Sequence, residues 1–270
     1  MTSTERFTSD APAVAAFVAK WRAREPEMAY AEVFCPRPQR VRFVLWGALL
    51  FELREAAFEL SDARPTEVKC GWWADEALRC AQDAPRHPLT QALAAPQLPW
   101  NAIARGMIAV MQGDESRPVN GNAAMALVAP LANGIATVES ELFESVQPDD
   151  ADAKDATRAV AVHLLGERLR MGIAAGDGGR VPLSLLARHA ITGSMLVELQ
   201  GAPAVRDWAA ELAAALPAHL GGSPLFRRTR AAFDGWFLKE RATGHDRAAV
   251  PALRALRLAW RSARDGRGNP

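Results

Sequence analysis

The chain has 270 residues, of which 49 % are hydrophobic and 23 % charged, proportions that exclude wholesale disorder and a collagen-like fibre. Thirty-two basic residues against thirty-one acidic ones give a net charge of +1, so no global basic field draws a nucleic-acid partner. Alanine, leucine, arginine and glutamate are plentiful and Tyr30 is the one tyrosine, a composition that favours an all-α chain over a sheet.

In chain order, Asp10-Ala11-Pro12 reads as a helix start, with aspartate as N-cap and proline in the first turn. That helix runs over 13–24 and stops before Pro26; a short helix over 28–34 ends at Pro36-Arg37-Pro38. A long helix over 38–60 follows, and its middle, Val44-Leu45-Trp46-Gly47-Ala48-Leu49-Leu50-Phe51, is apolar on every face. A helix apolar all round is buried on all sides.

Ser61-Asp62-Ala63-Arg64-Pro65 starts a helix that carries Val68, Trp72, Trp73, Ala77 and Leu78 and ends near Asp83. Helices over 89–94, 100–112, 122–146 and 151–175 come next, the third interrupted only by Gly134, with Gly176-Asp177-Gly178-Gly179 as a flexible loop. Helices over 182–189, 204–216, 223–242 and 248–262 complete the set, and 264–270 is read as a frayed tail. No segment alternates with period two over strand length, and no repeat or long linker divides the chain. The expectation is one helical domain over residues 1–270.

Cys35, Cys70 and Cys80 form no disulfide framework and no zinc pattern. Residues 1–10 lack the apolar stretch of a signal peptide, and the strongest apolar run, 43–51, is about half a membrane span. A cytoplasmic, soluble protein is expected, with a peripheral membrane contact left open.

The order of segments from about Phe34 to Ala263 resembles the squalene/phytoene synthase family. The pieces that carry the resemblance are Phe34-Cys35-Pro36-Arg37-Pro38 leading to Arg40 and 45–51; Trp72-Trp73-Ala74-Asp75-Glu76 followed by His87-Pro88; and Leu98-Pro99 opening 102–114. Gly179-Arg180-Val181-Pro182-Leu183 with Leu185-Leu186-Ala187-Arg188-His189, and the C-terminal stretch 230–263, complete them. The resemblance implies an all-α isoprenoid-synthase fold around a central cavity. It also implies head-to-head joining of two isoprenoid diphosphates, with Mg²⁺ held by paired aspartates on two facing helices. Aspartates at i and i+4 share one helix face, and hard Mg²⁺ prefers their oxygens.

This chain departs from the family at both aspartate motifs. Arg54-Glu55-Ala56-Ala57-Phe58 stands at the first, and Arg170 and Ala174 stand where the second pair belongs. Glu52, Glu55 and Glu59 share a face at i, i+3 and i+7, so they are either a metal-binding remnant or a solvated acidic stripe beside Arg54. Arginines at both motifs repel Mg²⁺ and can instead hold a phosphate in bidentate fashion.

Further residues have competing readings. His87 is either a general acid beside a diphosphate or a structural turn, and His163 reads as a satisfied core histidine. Trp72 and Trp73 point about 100° apart on a helix, so at most one faces a given cavity. Met107, Met111, Met125 and Met171 line a prenyl tunnel or fill the core.

The expectation is therefore a squalene/phytoene-synthase-like protein without the metal-dependent condensation. It would bind an isoprenoid or a lipid phosphate through Arg40, Arg54, Glu55, His87, Arg170 and Arg180, or serve as a scaffold, with no cofactor. The alternative is an active prenyltransferase with Mg²⁺ on Glu52, Glu55 and Glu59.

Overall fold

The computed structural model describes residues 11–59, 63–112, 117–143, 150–171, 181–198, 201–245, 247 and 249–265. Among them the chain forms twelve α-helices and no strand. The helices are α1 (Ala11–Arg24), α2 (Met28–Phe34), α3 (Arg40–Arg54), α4 (Ala63–Ala81), α5 (Pro88–Leu93) and α6 (Trp100–Gln112). They continue with α7 (Gly121–Leu142), α8 (Asp150–Met171), α9 (Leu183–Arg188), α10 (Ala202–Ala215), α11 (Leu225–Ala242) and α12 (Ala252–Asp265). The Gly176–Gly179 loop and Arg180 lie outside the described residues, as do residues 266–270 of the expected frayed tail, while Arg264 and Asp265 still belong to α12.

The apolar run of the sequence is the buried helix α3, in which Phe43, every residue from Leu45 to Phe51, and Leu53 are buried. Burying one such Leu or Phe side chain contributes roughly 1.5–3 kcal/mol. The expected single helix over 38–60 is instead three pieces: a 3-10 turn over Arg37–Gln39, α3, and a π turn over Glu55–Glu59. Pro38 lies within the first turn, where its missing N–H costs nothing. The π turn widens the backbone directly after Arg54 and buries Ala56, Ala57 and Phe58.

α3 packs against α1 and α5, α4 packs against α6, and α7 lies between α6 and α8. Gly134 does not interrupt α7, because it is where α6 comes close. A Cβ there would sit 2.6 Å from the Ala102 carbonyl oxygen, and one on Gly106 would sit 2.6 Å from Leu131 Cα. The two glycines thus let the two helices approach at backbone contact. Among the described residues α7 is the one helix long and apolar enough to cross a membrane. Its buried Val128, Leu131, Ile135 and Val138 make it a core helix of this fold. The three cysteines are free and buried, and burial pushes the Cys35 and Cys70 thiols up to about 11 and that of Cys80 to about 12. They are inert thiols.

Candidate functional site

Arg54 closes α3 and Arg170 lies in the last turn of α8, and both point into the centre of the helical assembly. Arg54 is fully buried and Arg170 is 9 % exposed. The two meet at one carboxylate, Glu167, at 3.5 Å from Arg54 Nη2 and 3.0 Å from Arg170 Nε.

Two other segments supply the remaining charges. Glu25 and Glu27 flank Pro26 in the turn between α1 and α2, both buried. Arg54 Nη1 donates to Glu25 at 2.6 Å, and Arg170 Nη1 donates to Glu27. On α11, Arg230 and Asp234 lie one turn apart and pair at 3.0 Å. Arg230 also reaches Glu25 at 3.0 Å and Glu27 at 3.1 Å, and Arg170 Nη2 stands 3.8 Å from Asp234.

His163 is buried between Arg54 and Asp234. Its Nε2 lies 2.9 Å from Arg54 Nη1, and its Nδ1 lies 3.1 Å from Asp234. A guanidinium only donates, so Nε2 accepts and Nδ1 carries the hydrogen given to Asp234.

Burial alone would push the carboxyl groups of Glu25, Glu167 and Asp234 up, but the guanidiniums outweigh it. Arg54 and Arg230 hold Glu25 well below the usual carboxylate range, and Arg230 with His163 does the same for Asp234. Glu167 is lowered by Arg54 and Arg170 against its own desolvation. Arg230 in turn loses solvation by burial, yet Asp234, Glu27 and Glu25 raise its pKa. Three buried arginines thus face four buried carboxyl groups, all contributed by this chain.

The spacing of His163, Glu167 and Asp234 would admit a metal, since one ligand atom of each lies within 4.8 Å of the others. The donor set does not fit Mg²⁺. Each of those ligand groups already holds a guanidinium: Arg54 on His163 and Glu167, Arg170 on Glu167, Arg230 on Asp234. A divalent ion about 4 Å from one guanidinium meets roughly 2 kcal/mol of repulsion even at the permittivity of water, and more when buried.

The acidic stripe after α3 has a different partner. The Lys20 ammonium lies between Glu52 and Glu55, at 2.9 and 2.8 Å. Burial disfavours the ammonium, yet these two hydrogen bonds raise its pKa. For Glu52 burial is the larger effect and raises its pKa despite Lys20. Glu55 therefore turns to α1, not to Arg54. The side chain of Glu59 lies outside the described set.

The other expected ligand residues are scattered. Arg40 is exposed and donates to the carbonyls of Cys35, at 3.0 Å, and Val33, at 3.4 Å, at the end of α2. His87 is the N-cap of α5, accepting from Leu89 N–H. Its ring packs 4.6 Å from Phe17 and 4.9 Å from Trp73, and burial lowers its pKa. Buried Glu76 accepts the Arg86 and His87 backbone N–H groups at 2.9 Å and the Thr90 hydroxyl. His87 is thereby held in a structural turn. Trp73 is buried and Trp72 exposed, the two rings T-shaped at 4.9 Å. Met107 is buried in the core, and Met111 and Met125 pack against it.

Three features escaped the sequence reading. Glu139 on α7 is buried, pairs with Arg227 Nε at 2.8 Å and accepts the Trp46 indole N–H at 2.8 Å. Beside it a cavity of about 490 Å³ opens between the ends of α7 and α8, lined by Asn133, Thr137, Ser140, Glu141, Asp152 and Thr157 among others. The central carboxylates also went unassigned, although charged residues one helical turn apart inside apolar helices, His163/Glu167 and Arg230/Asp234, are a readable sign of a buried polar cluster.

No family model and no curated protein matches the sequence. Solved structures do match. A dehydrosqualene synthase in complex with ligand superposes at a TM-score of 0.68 with 11 % identity, over 98 % of this chain and 100 % of that one. Squalene synthase HpnC from Alicyclobacillus acidocaldarius superposes at 0.54 with 14 % identity, over the full length of both chains. The fold is therefore the all-α isoprenoid-synthase fold of squalene-synthase type, as the order of sequence segments implied.

Proposed function

We propose that this chain uses the squalene-synthase-type fold as a non-condensing scaffold. The observation that carries the reading is the closed centre. Arg54 and Arg170 stand where the resemblance places the aspartates, and both are neutralised by carboxylates of the chain itself. Ionising an allylic diphosphate needs a cation to stabilise the leaving group. Here the positions that would hold it carry guanidiniums, and the acidic stripe of Glu52 and Glu55 is occupied by Lys20. A soluble or membrane-peripheral cytoplasmic location belongs to the same reading.

The arginines also argue against a phosphate-binding centre. A phosphate would have to displace Glu25, Glu27 or Glu167 within a buried set already richer in carboxyl groups than in arginines. A second reading, an isoprenoid or lipid-phosphate binder, draws on the dehydrosqualene synthase solved with a bound ligand. Thermal-shift titration of the purified chain with farnesyl diphosphate and with a short-chain phosphatidic acid, with and without Mg²⁺, separates the readings. The scaffold gives no stabilisation by either lipid and no Mg²⁺ dependence. Stabilisation that disappears in Arg54→Gln and in Arg170→Gln, while a prenyl alcohol gives none, would establish the binder.

A further inference from the structure

Helix α12 carries its polarity in three stripes. Ala255, Ala259 and Ser262 form the buried face, small residues that let the helix lie close to α2 and α11. The next stripe is apolar yet faces outward: Leu253 is 85 % exposed, Leu256 41 % and Trp260 46 %. At 100° per residue, Arg254, Arg257, Arg261 and Arg264 make a third stripe alongside it. Arg264 lies over the Trp260 ring at 4.7 Å. Among the described residues no carboxylate pairs with Arg254, Arg257 or Arg261, and Asp265 is the one acidic residue of the helix.

A packed surface helix ordinarily turns its leucines inward. Here Ala255 and Ala259 face the protein with Leu258 packed beside them, while Leu253, Leu256 and Trp260 face out beside a row of guanidiniums. That pattern matches a helix lying in the plane of a lipid interface, apolar side chains in the acyl boundary and arginines at the headgroups. The neighbouring helix α2, which packs against α12, also exposes an apolar side chain, Val33, whose carbonyl accepts from Arg40.

We propose that α12 docks this protein on an anionic lipid bilayer, with Leu253, Leu256 and Trp260 inserting and Arg254, Arg257, Arg261 and Arg264 contacting acidic headgroups. Charge complementarity selects the occupant. A neutral interface would leave Arg254, Arg257 and Arg261 without counter-charge. The assignment goes beyond the scaffold reading and does not depend on what the centre does.

The test is co-sedimentation of the full chain with phosphatidylcholine vesicles and with equal-part phosphatidylcholine/phosphatidylglycerol vesicles. Binding to the anionic vesicles should be tenfold or more the stronger, and should weaken as salt rises. An arginine near an anionic surface is worth roughly fivefold in partition, so Arg254→Gln/Arg257→Gln/Arg261→Gln should lose about a hundredfold. Leu253→Ser/Trp260→Ser should lose about tenfold or more, with an unchanged circular dichroism spectrum and melting temperature because both side chains point outward. Trp260 emission should shift to the blue on anionic vesicles, a change missing in Trp260→Phe. Equal affinity for both vesicles, no binding, or binding indifferent to both multiple variants overturns the proposal. So does a dimer in light scattering that Leu253→Ser/Trp260→Ser dissolves, since a second copy would then cover the stripe.

Discussion

Two groups of arginines in this molecule have opposite fates. Arg54, Arg170 and Arg230 lie in the centre, each facing carboxylates from other segments of the same chain. Arg254, Arg257 and Arg261 lie on α12, and among the described residues none is paired. Burial accounts for the difference. A guanidinium out of water must be matched or the fold fails, whereas one in water needs no partner and remains available to something outside the chain. The residue type alone says little about function; the depth at which the fold places it decides.

Charge reversal in the centre should break this contrast most violently. Arg170→Asp places another carboxyl group against Glu27, Glu167 and Asp234. The expected outcome is loss of more than about 5 kcal/mol or failure to fold, read by denaturant unfolding. It should not restore Mg²⁺ binding, even though it moves the sequence toward the family motif. Arg54→Met removes one of the two guanidiniums on each of Glu25 and Glu167, leaving only Arg230 and Arg170 beside them. Loss of one partner of a buried pair costs about 3–5 kcal/mol, roughly 10 °C or more in melting temperature for a chain of this size.

Acid should discriminate between the two regions as well. Glu25, Glu167 and Asp234 have folded-state pKa values below the ordinary 4.5, 4.5 and 3.8. Their contribution to stability is complete above those ordinary values and is lost as pH falls below them toward the folded values, because the unfolded chain takes up protons first. Melting temperature followed from pH 7 downward should therefore hold nearly level and then drop below about pH 4.5. Glu25→Gln should lower the plateau and flatten that drop. The α12 variants should keep the wild-type profile.

At the surface the effects shrink. Lys20→Ala removes the exposed pairs to Glu52 and Glu55 and should cost about 1 kcal/mol or less, measured by urea unfolding. It also frees the only acidic stripe that the prenyltransferase alternative invokes, so a calorimetric Mg²⁺ titration of Lys20→Ala should still show no binding. Arg257→Gln should change stability by about 0.5 kcal/mol or less.

The helices were legible in the sequence because their signals are local. The helix over 100–112 lies where the periodicity puts it, and the apolar run after Phe43 is the buried α3. The π turn after Arg54 was not legible, since it reflects packing of Ala56, Ala57 and Phe58 and no turn residue marks it. The resemblance set Arg54 and Arg170 on two facing helices, and the structure brings both to Glu167. Their counter-charges did not follow. Glu25 and Glu27 drew no reading beside the helix-ending Pro26, and only the tertiary fold carries that turn to Arg230 of α11. Gly134, read as an interruption, is the contact with Ala102, a long-range fact that no local pattern encodes.

Pyrophosphate release bears most directly on the closed centre. The purified chain is incubated with farnesyl or geranylgeranyl diphosphate and Mg²⁺, and pyrophosphate and hydrocarbon are followed together. Losing metal-assisted departure removes several kcal/mol of transition-state stabilisation, about tenfold in rate for each 1.4 kcal/mol. The account predicts pyrophosphate at the rate of the protein-free control and no thirty- or forty-carbon product. Mg²⁺-dependent formation of such a product, abolished in Glu52→Gln/Glu55→Gln, would contradict it and make the chain an active prenyltransferase.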